Sequence, residues 1–162
     1  MAEDVFPDRS MSQREKVEWM MESNGWAFIP VPPVADGDPP FPGYGYTVGL
    51  TALFGFPEVV VFGLTPVAAR GIVGDVFDIL KDGGEVPVGA AFTGLFDNGL
   101  RAALLPIPDA YGLCPAADEW YGSIVFGVAQ LTWPDRNGWL PWESGFEHRL
   151  VMAQPVLGDV PD

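Results

Sequence analysis

The stretch that decides the fold is EVVVFGLTPVAARGIVGDVFDILKDGG, residues 58–84. It opens with a run rich in β-branched residues, 58–64, which predicts a strand. Thr65 and Pro66 are residue types preferred at the N-cap and the first position of a helix. Apolar residues then recur on one helical face until Gly83-Gly84 ends the pattern. We therefore predict a strand followed directly by a long amphipathic helix.

The elements on either side follow from similar signals. Residues 12–15, Ser-Gln-Arg-Glu, have the spacing of a capping box, so we predict a helix over residues 11–23 that Asn24-Gly25 ends. A third, short helix is predicted over residues 116–121. Alternation and turn signals predict further strands at residues 26–31, 44–51, 86–92, 100–106 and 124–133.

This order of elements predicts an α+β fold. Strands joined by short turns are usually antiparallel. We expect an antiparallel, partly barrel-like sheet of about six strands with two main helices. The predicted single globular domain covers residues 11–157, with flexible tails at residues 1–10 and 158–162.

The composition indicates a folded globular chain whose negative net charge disfavours binding to nucleic acid or anionic membranes. Hydrophobic residues make up 48% of the 162 positions, which is typical of a globular domain. Eight basic residues against 22 acidic ones give a net charge of −14. Because binding to nucleic acid needs clustered Lys and Arg, we expect no nucleic acid and no anionic membrane as partners.

Cysteine and histidine are nearly absent, which restricts the chemistry. With a single Cys, no disulfide can form within the chain. One Cys and one His make a conventional zinc site unexpected, so we predict no metal. The first residues lack the apolar core of a signal peptide, and no run reaches 18 apolar residues. We expect a cytoplasmic protein.

Standard catalytic patterns do not occur in this sequence. There is no P-loop, GxGxxG after a strand, HExxH or GxSxG. His148 lies among charges and is expected to be exposed, whereas Cys114 is expected to be a small buried apolar residue. Catalytic residues and any cofactor are therefore unknown from the sequence.

The segment TWPDRNGWLPWE, residues 132–143, gathers three of the six tryptophans. Asn137-Gly138 favours a type I′ turn, which would bring Trp133 and Trp139 together across a two-residue hairpin. This interpretation explains the turn and two tryptophans. It explains the charges of the segment less well.

A ligand pocket is the other interpretation of this segment. Asp135 and Glu143 would join Glu58 and Tyr46 between tryptophan walls, and burial would raise the carboxylate pKa values enough for acid–base work. The ligand-binding candidates are Tyr46, Thr47, Glu58, Trp133, Asp135, Arg136, Trp142 and Glu143.

Two stretches carry a resemblance to a known family. The first is residues 46–51, Tyr-Thr-Val-Gly-Leu-Thr, followed by Gly-Phe-Pro-Glu and an apolar strand over residues 55–64. The second is residues 130–135, Gln-Leu-Thr-Trp-Pro-Asp, with Gly138, residues 141–143 and residues 154–157. Together they resemble the opening and closing signatures of the bacterial "domain of unknown function 4262" family, over residues 24–157. The resemblance implies no established cofactor or catalytic set.

One position departs from the pattern that the resemblance implies. Phe56 stands where a His is expected before Pro-Glu. If that His does chemistry in relatives, this chain lacks it. A position that only packs the turn would tolerate the exchange.

Three functions follow as hypotheses. The first is a small-molecule-binding domain with the Trp/carboxylate-lined pocket. The second is a non-catalytic protein-interaction or regulatory module, such as a homodimer that uses aromatics around Trp120–Tyr121. The third is a flavin- or nucleotide-dependent enzyme on a small barrel, whose anion would need the backbone amides at the helix that starts at Pro66.

Overall fold

A computed structural model describes residues 10–161, which form four α-helices and six β-strands. The helices are α1 (Gln13–Asn24), α2 (Leu50–Phe54), α3 (Pro66–Lys81) and α4 (Pro115–Tyr121). The strands are β1 (Ala27–Val31), β2 (Tyr44–Val48), β3 (Glu58–Phe62), β4 (Ala91–Phe92), β5 (Ala102–Pro106) and β6 (Val128–Thr132). Short 3-10 turns lie at Asp97–Gly99 and His148–Leu150. Of the predicted N-terminal tail, residues 1–10, only Ser10 is among the described residues. Of the predicted C-terminal tail, residues 158–162, all but the last residue are described.

The predicted caps of the two long helices are confirmed. The Ser12 hydroxyl accepts the Glu15 N–H at 3.2 Å, and the Glu15 carboxylate accepts the Ser12 N–H at 3.3 Å. The Thr65 hydroxyl accepts the Ala68 N–H at 3.2 Å. These side chains satisfy amide groups that have no partner within the first turn of a helix.

The sheet is mixed and open, with strand order β1-β2-β3-β6-β5-β4. The α+β class is confirmed, but the expected antiparallel, barrel-like sheet is partly wrong because β3 and β6 pair in parallel and the sheet does not close. Residues 63–127, which include α3, β4, β5 and α4, separate β3 from β6. The rule that short turns give antiparallel neighbours does not apply to strands so far apart in the chain.

All six predicted strands are shorter than expected, and three of them differ most. The strand over residues 124–133 forms only at Val128–Thr132. The strand over residues 44–51 ends at Val48, because Gly49 adopts φ 118° and α2 begins at Leu50. The strand over residues 86–92 forms only at Ala91–Phe92. Gly89, at φ 87°, instead donates a single hydrogen bond to the Leu104 carbonyl at 2.7 Å.

The central strand β3 is buried on both faces. Val60 and Phe62 pack towards α1 and α4, whereas Val59 and Val61 pack towards α3. A continuous apolar run is typical of a strand covered on both sides, and this explains the β-branched stretch at its centre. The domain therefore has three layers, with β1 as an edge strand that lies beside α1 and the start of α3.

The C-terminal segment is held against the sheet by two buried glutamines. The Gln130 carboxamide accepts the Leu157 N–H at 2.8 Å and donates to the Pro155 carbonyl. The Gln154 carboxamide exchanges two hydrogen bonds of 2.9 Å with the backbone of Trp133. Burial of these amides is compatible with folding because their donors and acceptors are paired.

None of the helices within residues 10–161 is long and apolar enough to cross a membrane.

Candidate functional site

Glu58, at the start of β3, has a fully buried carboxylate that is surrounded by donors. It accepts hydrogen bonds from the Thr47 hydroxyl at 2.7 Å and from the Tyr121 hydroxyl. The backbone N–H groups of residues 49, 50 and 51 donate to it at 3.0 to 3.3 Å. The carboxylate therefore caps α2, whose own N-cap residue is a glycine without a side chain.

Tyr121 connects this cap to α4. Its hydroxyl donates to Glu58 and accepts the N–H groups of Gly49 at 3.2 Å and Ala52 at 3.3 Å. Burial, assisted by the hydrogen bond to Glu58, raises the pKa of Tyr121 to about 12. Tyr121 thus stays a neutral donor near pH 7, and it was not among the residues predicted for a site.

Tyr46 lies in the core between the sheet and α4. It is fully buried, and its hydroxyl accepts the Ala116 N–H at 2.9 Å. Burial raises the pKa of Tyr46 well above its usual value of 10.0. A hydroxyl fixed to the first turn of a helix positions that helix.

Asp135 organises the tryptophan-rich loop after β6. It is 2% exposed, and its carboxylate accepts the N–H groups of Asn137 and Trp139 at 2.9 Å and of Glu147 at 2.8 Å. Burial raises the pKa of the Asp135 carboxyl, but the backbone hydrogen bonds outweigh it and hold the pKa below 3.8. The expected net rise in the pKa of Asp135 is therefore wrong, since the donors favour the ionised form.

Glu143 is held in a similar way by a cation. Arg101 reaches both of its carboxylate oxygens, one of them at 3.0 Å, and also donates to the Gly138 carbonyl. The hydrogen bond from Arg101 lowers the pKa of Glu143 and outweighs burial, which raises it; the Leu140 N–H lowers it further. The expected rise in pKa is wrong here as well.

The turn at Asn137-Gly138 is not of type I′. That type needs a positive φ at both central residues, and among the described non-glycine residues only Asn98 has one. Asp135 and Trp139 are joined by a backbone hydrogen bond of 2.9 Å, and Gly138 has φ 89°. This is the geometry of a three-residue hairpin loop with a glycine bulge.

The tryptophans of this segment pack separately. Trp133 contacts Phe146, with ring centroids 6.4 Å apart, and no ring contact with Trp139 occurs among the described residues, so the predicted cross-hairpin pair is wrong. Trp139 covers Gly145, and Trp142 packs on the small cluster around Leu140. Arg136 is exposed.

The structure does not bring the predicted residues into one pocket. Glu58 pairs with Val128 at the start of β6, whereas Asp135 follows the other end of that strand at Thr132. At about 3.3 Å per residue, the strand alone separates them by roughly 13 Å. Thr47 and Glu58 lie together, as do Asp135 and Glu143, but in two different places.

These findings give the carboxylates structural roles. Replacing Asp135 with Asn is expected to lower stability near pH 7, because one amide group would face the Glu147 N–H donor. A carboxyl whose pKa is lower in the folded state than in the unfolded state stabilises the fold at pH values above its unfolded-state pKa. This stabilisation is lost as the pH falls through its folded-state pKa. The variant should therefore lose less stability than the wild type between about pH 5 and pH 2.

Urea denaturation at several pH values measures this difference. Asp36→Asn, in an exposed loop, removes the same charge and serves as the control. Equal acid sensitivity of the wild type and Asp135→Asn would contradict the role given to Asp135.

A largely apolar cleft lies elsewhere, between α1, the edge strand β1 and the start of α3. It has a volume of about 480 Å³. Its walls are mainly apolar, with two cations and one amide. The lining residues are Gln13, Lys16, Met20, Phe28, Ile29, Pro30, Pro66, Val67, Arg70 and Gly71.

Local sequence explains the open edge of this cleft. Pro30 lies within β1, and a proline in an edge strand places its missing N–H on the solvent side. Gly71 in α3 carries no side chain, and a Cβ there would meet nothing within 4 Å. Arg70 is placed over the Trp26 ring at 5.2 Å.

None of the eight predicted site residues lines this cleft. An isolated glycine inside a helix often has a packing or functional reason, and Gly71 was the one sequence signal available. No sequence pattern indicated that Lys16 and Arg70 line one cleft, because they lie far apart in the chain and only the fold brings them to the same cavity.

Two further reactive side chains of the described part of the chain, Cys114 and His148, lie outside the cleft. Cys114 is buried as predicted, and burial, with smaller effects of the Asp118 and Glu58 carboxylates, raises its pKa to about 12. His148 is exposed, as predicted. Within residues 10–161, no three His, Cys, Asp or Glu side chains are grouped to hold a metal ion.

Fewer aromatic side chains are exposed around Trp120–Tyr121 than the predicted dimer surface requires. Tyr121 is buried, so only Trp120, which is 38% exposed, remains on the surface. Trp120 lines a smaller cavity of about 260 Å³ between α1 and α4, which the Arg14–Glu119 ion pair borders.

Fold and site together define a three-layered α+β domain with an apolar cleft beside an edge strand. The chain belongs to the family described as Domain of unknown function (DUF4262), whose model matches residues 20–147. No curated protein and no solved structure matches the chain. The matched range contains β1 and α3, whereas Gln13 and Lys16 of the cleft precede it.

Proposed function

We propose that this domain binds a small, largely apolar molecule in the α1–β1–α3 cleft. The observation that carries the proposal is the cleft itself, whose volume of about 480 Å³ falls within the range of ligand pockets. Its walls combine buried apolar side chains, such as Phe28 and Ile29, with a few polar groups. Small-ligand sites commonly have this composition.

The proposal places the ligand away from the tryptophan segment. Asp135 and Glu143 already bind backbone N–H groups and Arg101, so their oxygens are committed to the protein. Glu58 is likewise occupied by five donors. A ligand that displaced these contacts would leave buried donors without partners, which is unfavourable.

Blocking the cleft at Gly71 tests the proposal. Gly71→Trp directs an indole ring into open space and removes a glycine from a helix, so the fold should be retained. We expect the fluorescence of the neutral dye Nile red to rise with the wild type and with Gly71→Ala. The enhancement should be lost with Gly71→Trp.

Two controls make the result specific. Asp78→Trp adds an indole to an exposed position of the same helix, outside the cleft, and should leave dye binding unchanged. Circular dichroism verifies that each variant is folded. Nile red that binds Gly71→Trp as well as the wild type, or that binds neither, would contradict the proposal.

A further inference from the structure

The cleft continues into a second cavity. This cavity has a volume of about 620 Å³, and Pro30 and Pro66 line both spaces. The two cavities are therefore adjacent at these prolines and are together called the groove. The second cavity lies across the ends of β1, β2 and β3. The second part is lined mainly by proline and other apolar side chains, among them Pro32, Pro33, Pro42, Tyr44 and Leu64.

Charge is distributed unevenly along this groove. Lys16 from α1 and Arg70 from α3 line the first cavity, and the second has no charged residue among the described residues that line it. No acidic side chain within residues 10–161 lines either cavity, although the chain carries 22 of them. Among the described lining residues, the two cations thus lie at one end of the groove and the other end is apolar.

The edge strand disfavours a peptide as the occupant. A peptide that extends a sheet gains affinity from main-chain hydrogen bonds along the edge strand. Pro30, the fourth of the five residues of β1, removes one donor from the strand on which such a ladder would form. An aliphatic chain needs no hydrogen bonds and loses nothing at this position.

The net charge also restricts the head group of a ligand. Two cations can attract an anion locally, but a chain with a charge of −14 repels anions at longer range, and repels a dianion more than a monoanion. A single carboxylate matches this combination better than a phosphate.

From these observations we infer that the ligand is a free linear carboxylate with a long aliphatic tail. Its carboxylate lies between Lys16 and Arg70, and its tail passes Pro30 and Pro66 into the second cavity. The inference rests on the proposed function and specifies the ligand class of the same cleft.

The affinities of matched probes test the inference. Each affinity is measured by displacement of bound Nile red, at probe concentrations below the critical micelle concentration. Dodecanoate, dodecanol and dodecyltrimethylammonium share a tail, and hexanoate shares the carboxylate. Dodecanoate should bind roughly tenfold or more tightly than hexanoate, since each buried methylene adds affinity. The affinity of dodecanoate should be about fivefold higher than that of dodecanol, and it should exceed that of dodecyltrimethylammonium by a larger factor.

Lys16→Met and Lys81→Met form a matched pair. Both replace a lysine with the same residue and change the net charge equally, but Lys81 lies at the far end of α3, outside the groove. Lys16→Met should weaken dodecanoate about fivefold and leave dodecanol unchanged. Lys81→Met should change neither.

The outcomes separate the two proposals. If all three dodecyl probes bind equally and Gly71→Trp blocks them, the cleft binds small molecules but the carboxylate inference is wrong. If hexanoate binds as tightly as dodecanoate, the tail does not use the second cavity and the inference is also wrong. If dodecanoate binds equally to the wild type and Gly71→Trp, both proposals fail.

Discussion

Replacing Glu58 with Ala is expected to lower the free energy of unfolding by about 4 kcal/mol or more. The carboxylate is fully buried and satisfies two hydroxyls and three N–H groups. Alanine would leave these donors without an acceptor inside the protein. A buried donor without a partner costs about 1–3 kcal/mol, so several of them account for the large effect.

The loss should extend beyond α2 itself. Tyr121 on α4 uses the same carboxylate as its acceptor, and Thr47 uses it while also accepting the Val59 N–H at 2.9 Å. Two helices and two strands therefore depend on one side chain. We expect Glu58→Ala to lose helix content as well as cooperativity in urea denaturation followed by circular dichroism.

Two further variants make this expectation specific. Tyr121→Phe removes one hydroxyl from the cap and should destabilise the domain by a smaller amount, about 1–3 kcal/mol. Glu119→Ala removes an exposed carboxylate that pairs with Arg14 at 3.4 Å, and should change stability by less than about 1 kcal/mol. A stability loss for Glu58→Ala no larger than that of Glu119→Ala would show that the cap contributes little.

Replacing Gly63 with Ala is expected to have the second largest effect, a loss of about 3 kcal/mol or more. Gly63 follows β3 with φ 79°, a conformation that L-residues rarely adopt. An added Cβ would lie 2.3 Å from the backbone oxygen of Ala153 and 3.2 Å from the Trp133 ring. The backbone of the C-terminal segment would have to move, because backbone atoms cannot rotate away as a flexible side chain can.

The same substitution at Gly71 should have the opposite sign. Gly71 lies inside α3, and a Cβ there meets nothing within 4 Å. Alanine should stabilise that helix by about 0.5–1 kcal/mol, because glycine loses more backbone entropy on folding. Thermal unfolding of both variants measures the contrast. A Gly63→Ala variant as stable as Gly71→Ala would exclude the tight contact with Ala153.

Phe56 illustrates how structure completes an ambiguous sequence signal. Its backbone carbonyl accepts the Thr51 hydroxyl at 2.7 Å, and its half-buried ring packs against the core on the α3 side. In this chain the position closes the turn between α2 and β3. An apolar ring suits that role in this chain.

Sequence patterns predicted most elements because those patterns are local. The capping box at Ser12, the Thr65-Pro66 start of α3 and the β-branched run of β3 each depend on neighbouring residues, and each forms as predicted. The family resemblance rested on similarly local motifs and is confirmed over residues 20–147. The buried Cys114 and the exposed His148 followed from their immediate neighbours.

Only the tertiary structure decided how the charged residues are used. Asp135 and Glu143 sit in short loops where nearby N–H groups and Arg101 lower their pKa values, and a sequence does not state where backbone donors point. Glu58 meets Tyr121 across 63 positions of the chain. The parallel pairing of β3 with β6 likewise depends on a crossover whose geometry no local pattern encodes.

By itself, then, the sequence determined the class of fold, the approximate positions of its main helices and strands, the capped starts of the two long helices, and the family. Turns, caps and apolar periodicity act over a few residues. The fold alone determined the strand order, the acceptor role of the buried carboxylates and the cleft between Lys16 and Arg70. These features require residues distant in the chain to meet, and such contacts are set by how whole layers pack rather than by any short stretch of sequence.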